Sequence, residues 1–342
     1  MKIKKIHKET ISEKVFNFHC TPDENYYANG ILVHNCYKGN GVGQPLHNMT
    51  LDEFKIIIDK VPMILTQAAL GICDVDTNPD FFPMMEYCRS KGIIPNYTCN
   101  GFRVTPEVVK ETKRLGGAVA VSLRLENKDL TYDTVHAFCE EGMTQVNIHF
   151  VLAEETLEDA FKVVNDITSD KRLEKLNAIV FLQYKPKGRN PEAFHSISDV
   201  GKYKKLFEYC ADKLINYGMD SCSGPVFFKS IVDNPNKEKL AQVSEPCESG
   251  IFSSYINCHG QFFPCSFSEG EEDWKEGLDV LNCEDFLKDI WFHPRVVVWR
   301  EDLTFSSQNC NCEFSKLCRS CPVFNITPCK EKTNENTNRF CK

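Results

Sequence analysis

Apolar and polar positions divide the chain into three stretches with different rhythms. Up to residue 35, short apolar segments such as "VFNFHC" and "GILV" alternate with turn residues, a pattern that predicts small β-structure. From residue 36 to 232, the apolar runs "MILTQAALG", "IIPNYTCNG", "AVAVSLR", "QVNIHFVL" and "AIVFLQYKP" return roughly every 25 to 35 residues, separated by text with helical spacing. The intervening segments carry helix-start signals: Thr50 with Glu53 as a capping box, Thr105 followed by Pro106, and Thr156 with Asp159. Strand–helix units of that length predict an α/β parallel sheet or barrel with right-handed crossovers, whose active groups gather at the carboxyl ends of the strands. From 233 to 342 the pattern is short, irregular and rich in cysteine.

Composition narrows the class. With 342 residues, 42% of them hydrophobic and 26% charged, the chain can bury a large core and carry one or two small domains beside it. The formal charge of -8 is spread along the sequence, so no basic footprint for nucleic acid stands out. No apolar run approaches the roughly 20 residues of a membrane span, and the start "MKIKKIHKETISEK" lacks the apolar region of a signal peptide, so a cytoplasmic location is expected. In that compartment the 18 cysteines stay reduced, which favours metal binding over disulfides. Nine of them crowd residues 247 to 329, and this places the expected metal chemistry in the last third.

The join between the first two stretches has chemistry of its own. An Asn side-chain amide can attack its own carbonyl and cut the chain after itself, given a neighbour that assists proton transfer. A thiol directly after it can accept an acyl group. His34, Asn35 and Cys36 supply those parts in order. The longer stretch "VFNFHCTPDENYYANGILVHNC", residues 15 to 36, resembles the last two sequence blocks of an intein without gaps. The resemblance implies a β-rich C-terminal intein fragment over 1–35, with His34, Asn35 and Cys36 catalysing splicing. Asn17 and Glu24 depart from the Asp and His usual at those places, and Cys20 reads as a packed thiol. With only 35 residues before the junction, the other intein half is expected on a second polypeptide; a gene start mis-assigned inside a continuous intein is the alternative.

After Cys36, "YKGN" and the strand–helix series resemble the radical S-adenosylmethionine (radical SAM) superfamily just beyond its C-x3-C-x2-C motif. The resemblance makes Cys36 the third cysteine of that motif, holding a 4Fe–4S cluster with two thiolates from the upstream polypeptide. It implies a partial (β/α)6 barrel over 36–232 that lacks its first strand. In "ALGICDVDTNPDFF" it aligns Asp74 with the carboxylate that meets the amino group of S-adenosylmethionine, Ile72 and Cys73 replacing glycines. "YTCNG" contributes Asn100, "AVSLR" contributes Ser122 and Arg124, and "FLQYKPKGR" contributes Lys185 at the barrel mouth.

The tail adds a second resemblance. Cys247, twelve residues, Gly260, four residues and Cys265 match the opening C-x9-15-G-x4-C of the SPASM extension of radical SAM enzymes. Cys310, Cys312, Cys318 and Cys321, followed by Cys329, depart from the rest of that pattern by one residue at two places. By the family's interleaved order, Cys247, Cys258, Cys265 and Cys321 would hold one auxiliary 4Fe–4S cluster, and Cys310, Cys312, Cys318 and Cys329 a second, with Cys283 and Cys341 spare. Close cysteine pairs also suit zinc, and a zinc-binding protein, or a decayed fragment able only to splice, is the competing reading. Together the resemblances imply the C-terminal precursor of a trans-spliced radical SAM enzyme with a peptide, protein or other substrate and an external electron donor.

Overall fold

The computed structural model describes residues 25–28, 31–34, 47–62, 65–72, 74–187, 191–308, 312–319 and 321–324. Near the N-terminus β1 (Asn25–Ala28) and β2 (Ile31–His34) pair antiparallel, Asn25 opposite His34 and Ala28 opposite Ile31. Between them stand Asn29 and Gly30, the dipeptide favoured in two-residue hairpins.

Strand and helix then alternate: α1 (Leu51–Lys60), β3 (Gln67–Leu70), α2 (Phe81–Ser90), β4 (Ile94–Cys99), α3 (Pro106–Leu115), β5 (Val119–Ser122), α4 (Lys128–Glu140), β6 (Val146–Leu152), α5 (Leu157–Ser169), β7 (Ala178–Gln183), α6 (Val200–Asp212) and β8 (Tyr217–Met219). Strands β3 to β8 form one sheet in chain order, each neighbouring pair parallel. The five apolar runs expected as barrel strands are β3 to β7. The sixth strand enters at the far edge, where β8 is three residues long and too short to show a period in the sequence. At the near edge β3 pairs with β4 alone among the described strands.

The helix starts follow local chemistry. Thr50 accepts from the Glu53 amide at 3.2 Å while Glu53 accepts from the Thr50 amide at 2.8 Å, closing the expected box. Thr105 accepts from the Val108 amide, with Pro106 at the first helical position. Thr156 does precede α5, but its hydroxyl accepts from the Ala153 amide at 2.9 Å and donates to the Val151 carbonyl at 2.8 Å, so it braces the loop and makes no side-chain cap.

One face of the sheet is dry. Tyr97, Val121, Ile148, Phe150, Ile179 and Phe181 are all buried against the helices, where Tyr203, Phe207 and Phe227 complete the layer. After α7 (Gly224–Ile231) and the single turn α8 (Lys237–Leu240), a second, smaller core collects Phe262, Phe263, Trp274, Val296 and Trp299. Its frame is a three-stranded antiparallel sheet, β9 (Tyr255–Ile256), β10 (Gln261–Phe263) and β11 (Leu278–Asp279), with β10 central. The 15-residue α9 (Pro294–Gln308) is a correction to the irregular tail expected from the sequence. Its apolar positions are not gathered into one stripe, so no helical period marked it.

Helix α1 ties the two parts together. Ile57 is buried in the second core, and the Lys60 ammonium donates to the carbonyls of Val280, Leu281 and Cys283 at 3.2, 2.6 and 2.7 Å. Gly260, the glycine of the cysteine-spaced motif, turns from β9 to β10 with φ +71°, and a Cβ there would lie 2.5 Å from the Leu281 side chain. Replacing Thr105 by Ala removes the cap of α3 and is expected to cost about 1 kcal/mol, read as a lower midpoint in urea unfolding with an unchanged slope.

Candidate functional site

The other face of the sheet is the one available for chemistry. Alternation along each strand turns small and polar groups to it: Asn96 and Thr98 on β4, Ser122 on β5, Asn147 and His149 on β6, Val180 and Leu182 on β7, all of them less buried than the residues between them. Register aligns these positions across strands. Thr98 stands opposite Ala120, Ser122 opposite His149, and His149 opposite Val180. Helices seal one side, and the side that remains half-exposed mixes these polar groups with Val180 and Leu182.

The sequence-derived residues Asp74, Asn100, Ser122, Arg124 and Lys185 all stand at or just past the carboxyl ends of strands. Asp74 is buried just past β3, and the Asn100 amide, past β4, donates to its carboxylate at 2.6 Å. The Asn100 side-chain oxygen accepts in turn from the Phe102 amide, which fixes the amide's direction. Gly101 between them has φ +86°, with Thr134 and Leu130 close behind, so the backbone can fold back against α4 only without a side chain. Ser122 and Arg124 close β5; the Ser122 carbonyl accepts from the Thr131 hydroxyl, and Arg124 starts a short 3-10 turn.

Lys185 follows the end of β7. Its side chain is buried, with the ammonium 2.5 Å from an Asp220 oxygen, 3.0 Å from the Gln183 carbonyl and 5.2 Å above the Phe267 ring. Burial works against the charge, but Asp220 and the thiols of Cys222 and Cys321 outweigh it and hold the ammonium's pKa above its ordinary value. The second Asp220 oxygen accepts from the Ser223 hydroxyl and amide. His149 shares this neighbourhood. Burial pulls its imidazole below the ordinary value against the opposing pull of Asp220, and Thr98 contacts Nδ1 at 3.5 Å.

His149, Asn147, Asp220 and Cys222 went unmarked in the sequence. A signal existed for the first two, because "VNIHFVL" places its only polar groups two apart in an apolar strand. None existed for Asp220 or Cys222, whose significance depends on chain returning from more than 20 residues away.

Asn35, Cys36, Cys73, Cys310, Cys329 and the His34 side chain lie outside the described residues, so the splice junction and the expected radical-cluster thiolate do too. Among the described cysteines, Cys247, Cys265 and Cys321 lie within electrostatic reach of one another. Burial raises the Cys265 thiol and pushes Cys321 up to about 11. Cys312 and Cys318 pack beside Phe314 against the main core. Among the described residues no three His, Cys, Asp or Glu side chains converge as they would on a single metal ion. No helix of the described residues is long and apolar enough to cross a membrane.

Two outcomes follow from this geometry. Lys185→Met strands Asp220 and is expected to cost about 3 kcal/mol in urea unfolding, most of it recovered when Asp220→Asn accompanies it. His149 is expected to titrate below the ordinary 6.5 in a ring-proton NMR experiment. Since the unfolded chain then binds the proton more readily, stability is full above that ordinary value and is withdrawn as pH falls below it; His149→Gln removes this part of the acid sensitivity.

No family model matches the chain. It is 23% identical over 312 residues, 81% of this chain and 83% of the relative, to the AdoMet-dependent heme synthase of Methanosarcina barkeri. Among solved structures, Streptococcus suis SuiB superimposes with a TM-score of 0.62 at 15% identity, over 86% of this chain and 71% of that one. SuiB bound to S-adenosylmethionine gives 0.61 at 16% identity over 84% and 70%. A native anSMEcpe with bound AdoMet gives 0.57 at 15% identity over 82% and 83%. The parallel six-stranded α/β sheet of this chain is therefore the fold that SuiB and anSMEcpe also have.

Proposed function

We propose that the chain is the C-terminal precursor of a trans-spliced radical SAM enzyme. The observation that carries the enzyme reading is the one-sided sheet, with an open polar face and the Asp74–Asn100 pair at its strand ends, in a fold shared with proteins solved with S-adenosylmethionine bound. Fold alone does not fix activity, so the reading rests on these groups. When bound, the 4Fe–4S cluster and S-adenosylmethionine supply one-electron reductive cleavage to methionine and a 5′-deoxyadenosyl radical that takes hydrogen from a substrate.

The chain's own residues bind and orient. The Asp74 carboxylate accepts from an ammonium such as the methionine amino group, and Asn100 holds that carboxylate in place. Ser122 and Arg124 offer a hydroxyl and a cation at the next strand end for ribose and carboxylate. Asn147 and His149 line the open face where a substrate would lie, the imidazole staying neutral near pH 7. A peptide or protein substrate is favoured by the likeness to SuiB, which has been solved with its precursor peptide SuiA. Cys247, Cys258, Cys265 and Cys321 would hold an auxiliary cluster, and Cys310, Cys312, Cys318 and Cys329 would serve a second.

The splicing part rests on residues 15 to 36, with Asn35 as the cyclising amide, His34 as its proton-transfer partner and Cys36 as both acyl acceptor and cluster thiolate. Mixed with a polypeptide carrying an N-terminal intein half, the chain is expected to lose residues 1–35 and gain a peptide bond to Cys36, seen by mass spectrometry. Asn35→Ala should stop release and leave a branched species. In an intein-free fusion, Cys36→Ala should abolish both the cluster and reductive cleavage of S-adenosylmethionine. Full iron content and cleavage in that variant would sink the assignment of Cys36, and zinc without sulfide in the auxiliary region would sink the auxiliary clusters.

A further inference from the structure

Three helices of the α/β unit end in the same hydrogen-bonded turn. After α2 the Gly92 amide donates to the Arg89 carbonyl at 3.0 Å and the Ile93 amide to the Cys88 carbonyl at 2.9 Å. After α4 the amides of Gly142 and Met143 donate likewise to Cys139 and Phe138, at 3.0 and 3.1 Å. The turn needs one residue with left-handed backbone, and the glycines supply it with φ +76° and +93°. After α6 the motif returns, the Leu214 amide donating to Ala211 at 3.0 Å and the Ile215 amide to Cys210 at 3.2 Å, but a leucine holds the left-handed position, with φ +56°. A bulky side chain is strained in that conformation, and this one is also 90% exposed. Leu214 therefore carries a conformational cost with no burial inside its own chain to offset it.

Asp212 and Tyr217, close to Leu214 on either side, line a cavity of about 210 Å³ between α6, α7 and the start of β8. Phe207, Tyr217, Ile231 and Leu240 give it an apolar wall, with Phe207 and Tyr217 stacked at 5.6 Å between ring centres. The exposed Lys204, Glu208 and Asp212 complete the lining, and none of the three makes an ion pair among the described residues. The space falls below the roughly 300 Å³ of sites for drug-sized ligands and is closer to the roughly 150 Å³ of an engineered apolar cavity, so it suits a single aliphatic side chain. We propose that Leu214 docks into this cavity on a second copy of the chain, reciprocally about a two-fold axis. One surface then holds both the projecting side chain and its receptacle, the self-complementarity that a two-fold dimer requires. Charge agrees. The cavity carries two carboxylates against one ammonium, and Leu214 is preceded by the exposed Lys213. With the two α6 helices antiparallel across the axis, the register that sets Leu214 opposite Phe207 also sets Lys213 opposite Glu208 of the other copy.

The test uses the full chain under reducing conditions, which keep its cysteines from linking copies. Sedimentation velocity at rising micromolar concentration is expected to show a reversible monomer–dimer equilibrium. Leu214→Gly is expected to weaken association by about tenfold or more while leaving the urea midpoint of the monomer undiminished, because glycine relieves the left-handed strain. A residue needed only for folding would not separate the two readouts. Glu208→Lys is expected to weaken the dimer as well, and Lys213→Glu added to it should restore association with the charges exchanged. A lysine-reactive crosslinker applied to mixed light and heavy-isotope chains is expected to join Lys213 of one copy to Lys204 of another. A chain that stays monomeric, a dimer that Leu214→Gly leaves equally tight, a charge exchange without recovery, or crosslinks confined to single chains each overturn the proposal.

Discussion

Burial of a single face of the parallel sheet is the contact on which the rest of the molecule hangs. Ile148, Phe150 and Phe181, fully buried beneath α4 to α6, each contribute about 2 kcal/mol by leaving water, and neighbours such as Tyr203 and Phe227 make the layer continuous. That packing fixes the register of every strand, because a shift by one residue would drive Asn147 and His149 into the apolar layer and expose Ile148. Once the register is fixed, the polar side chains of β4 to β6 have only the other face to occupy. The open face is thus a consequence of the sealed one.

The smaller core depends on the larger. Its own apolar group is modest, built around Phe262, Phe263, Trp274 and Trp299, and it borrows Ile57 from α1. Lys60 then meets three carbonyls in the loop after β11. These three hydrogen bonds to a partly buried ammonium tie the end of α1 to the loop bearing Cys283. At the opposite end of the sheet, Lys185, Asp220 and Phe267 make a second junction between the parts. The cysteine-rich part is therefore gripped at both the first helix and the last strand of the α/β unit, and cysteines that would otherwise sit on mobile loops are held in one region.

Those two junctions separate two kinds of polar site. Asp74 and Asn100 sit paired just past the ends of β3 and β4, Asp74 buried. Lys185 and Asp220 sit under the cysteine-rich part, where solvent is excluded and charge must be matched internally. Position along a strand is a sequence property, and what covers the strand end is not.

Much was legible because it is local or periodic. The five recurring apolar runs became β3 to β7, since a strand buried in a parallel sheet needs a continuous apolar stretch, and Thr50 and Thr105 marked helix starts because a cap acts within three residues. The glycine of the tail motif was legible for the same reason, as the turn at Gly260 tolerates no side chain. Other features were decided only by chain brought together from a distance. Thr156 was drawn from its cap by the Ala153 amide, β8 gained its identity by pairing with β7, and α9 folded without an amphipathic stripe because its ring of neighbours includes both Trp274 and Gly250 around Trp299. The junction between the sheet and the tail is the clearest case, since the contacts from Asp220 through Lys185 and Phe267 to Cys265 exist only after the two have packed.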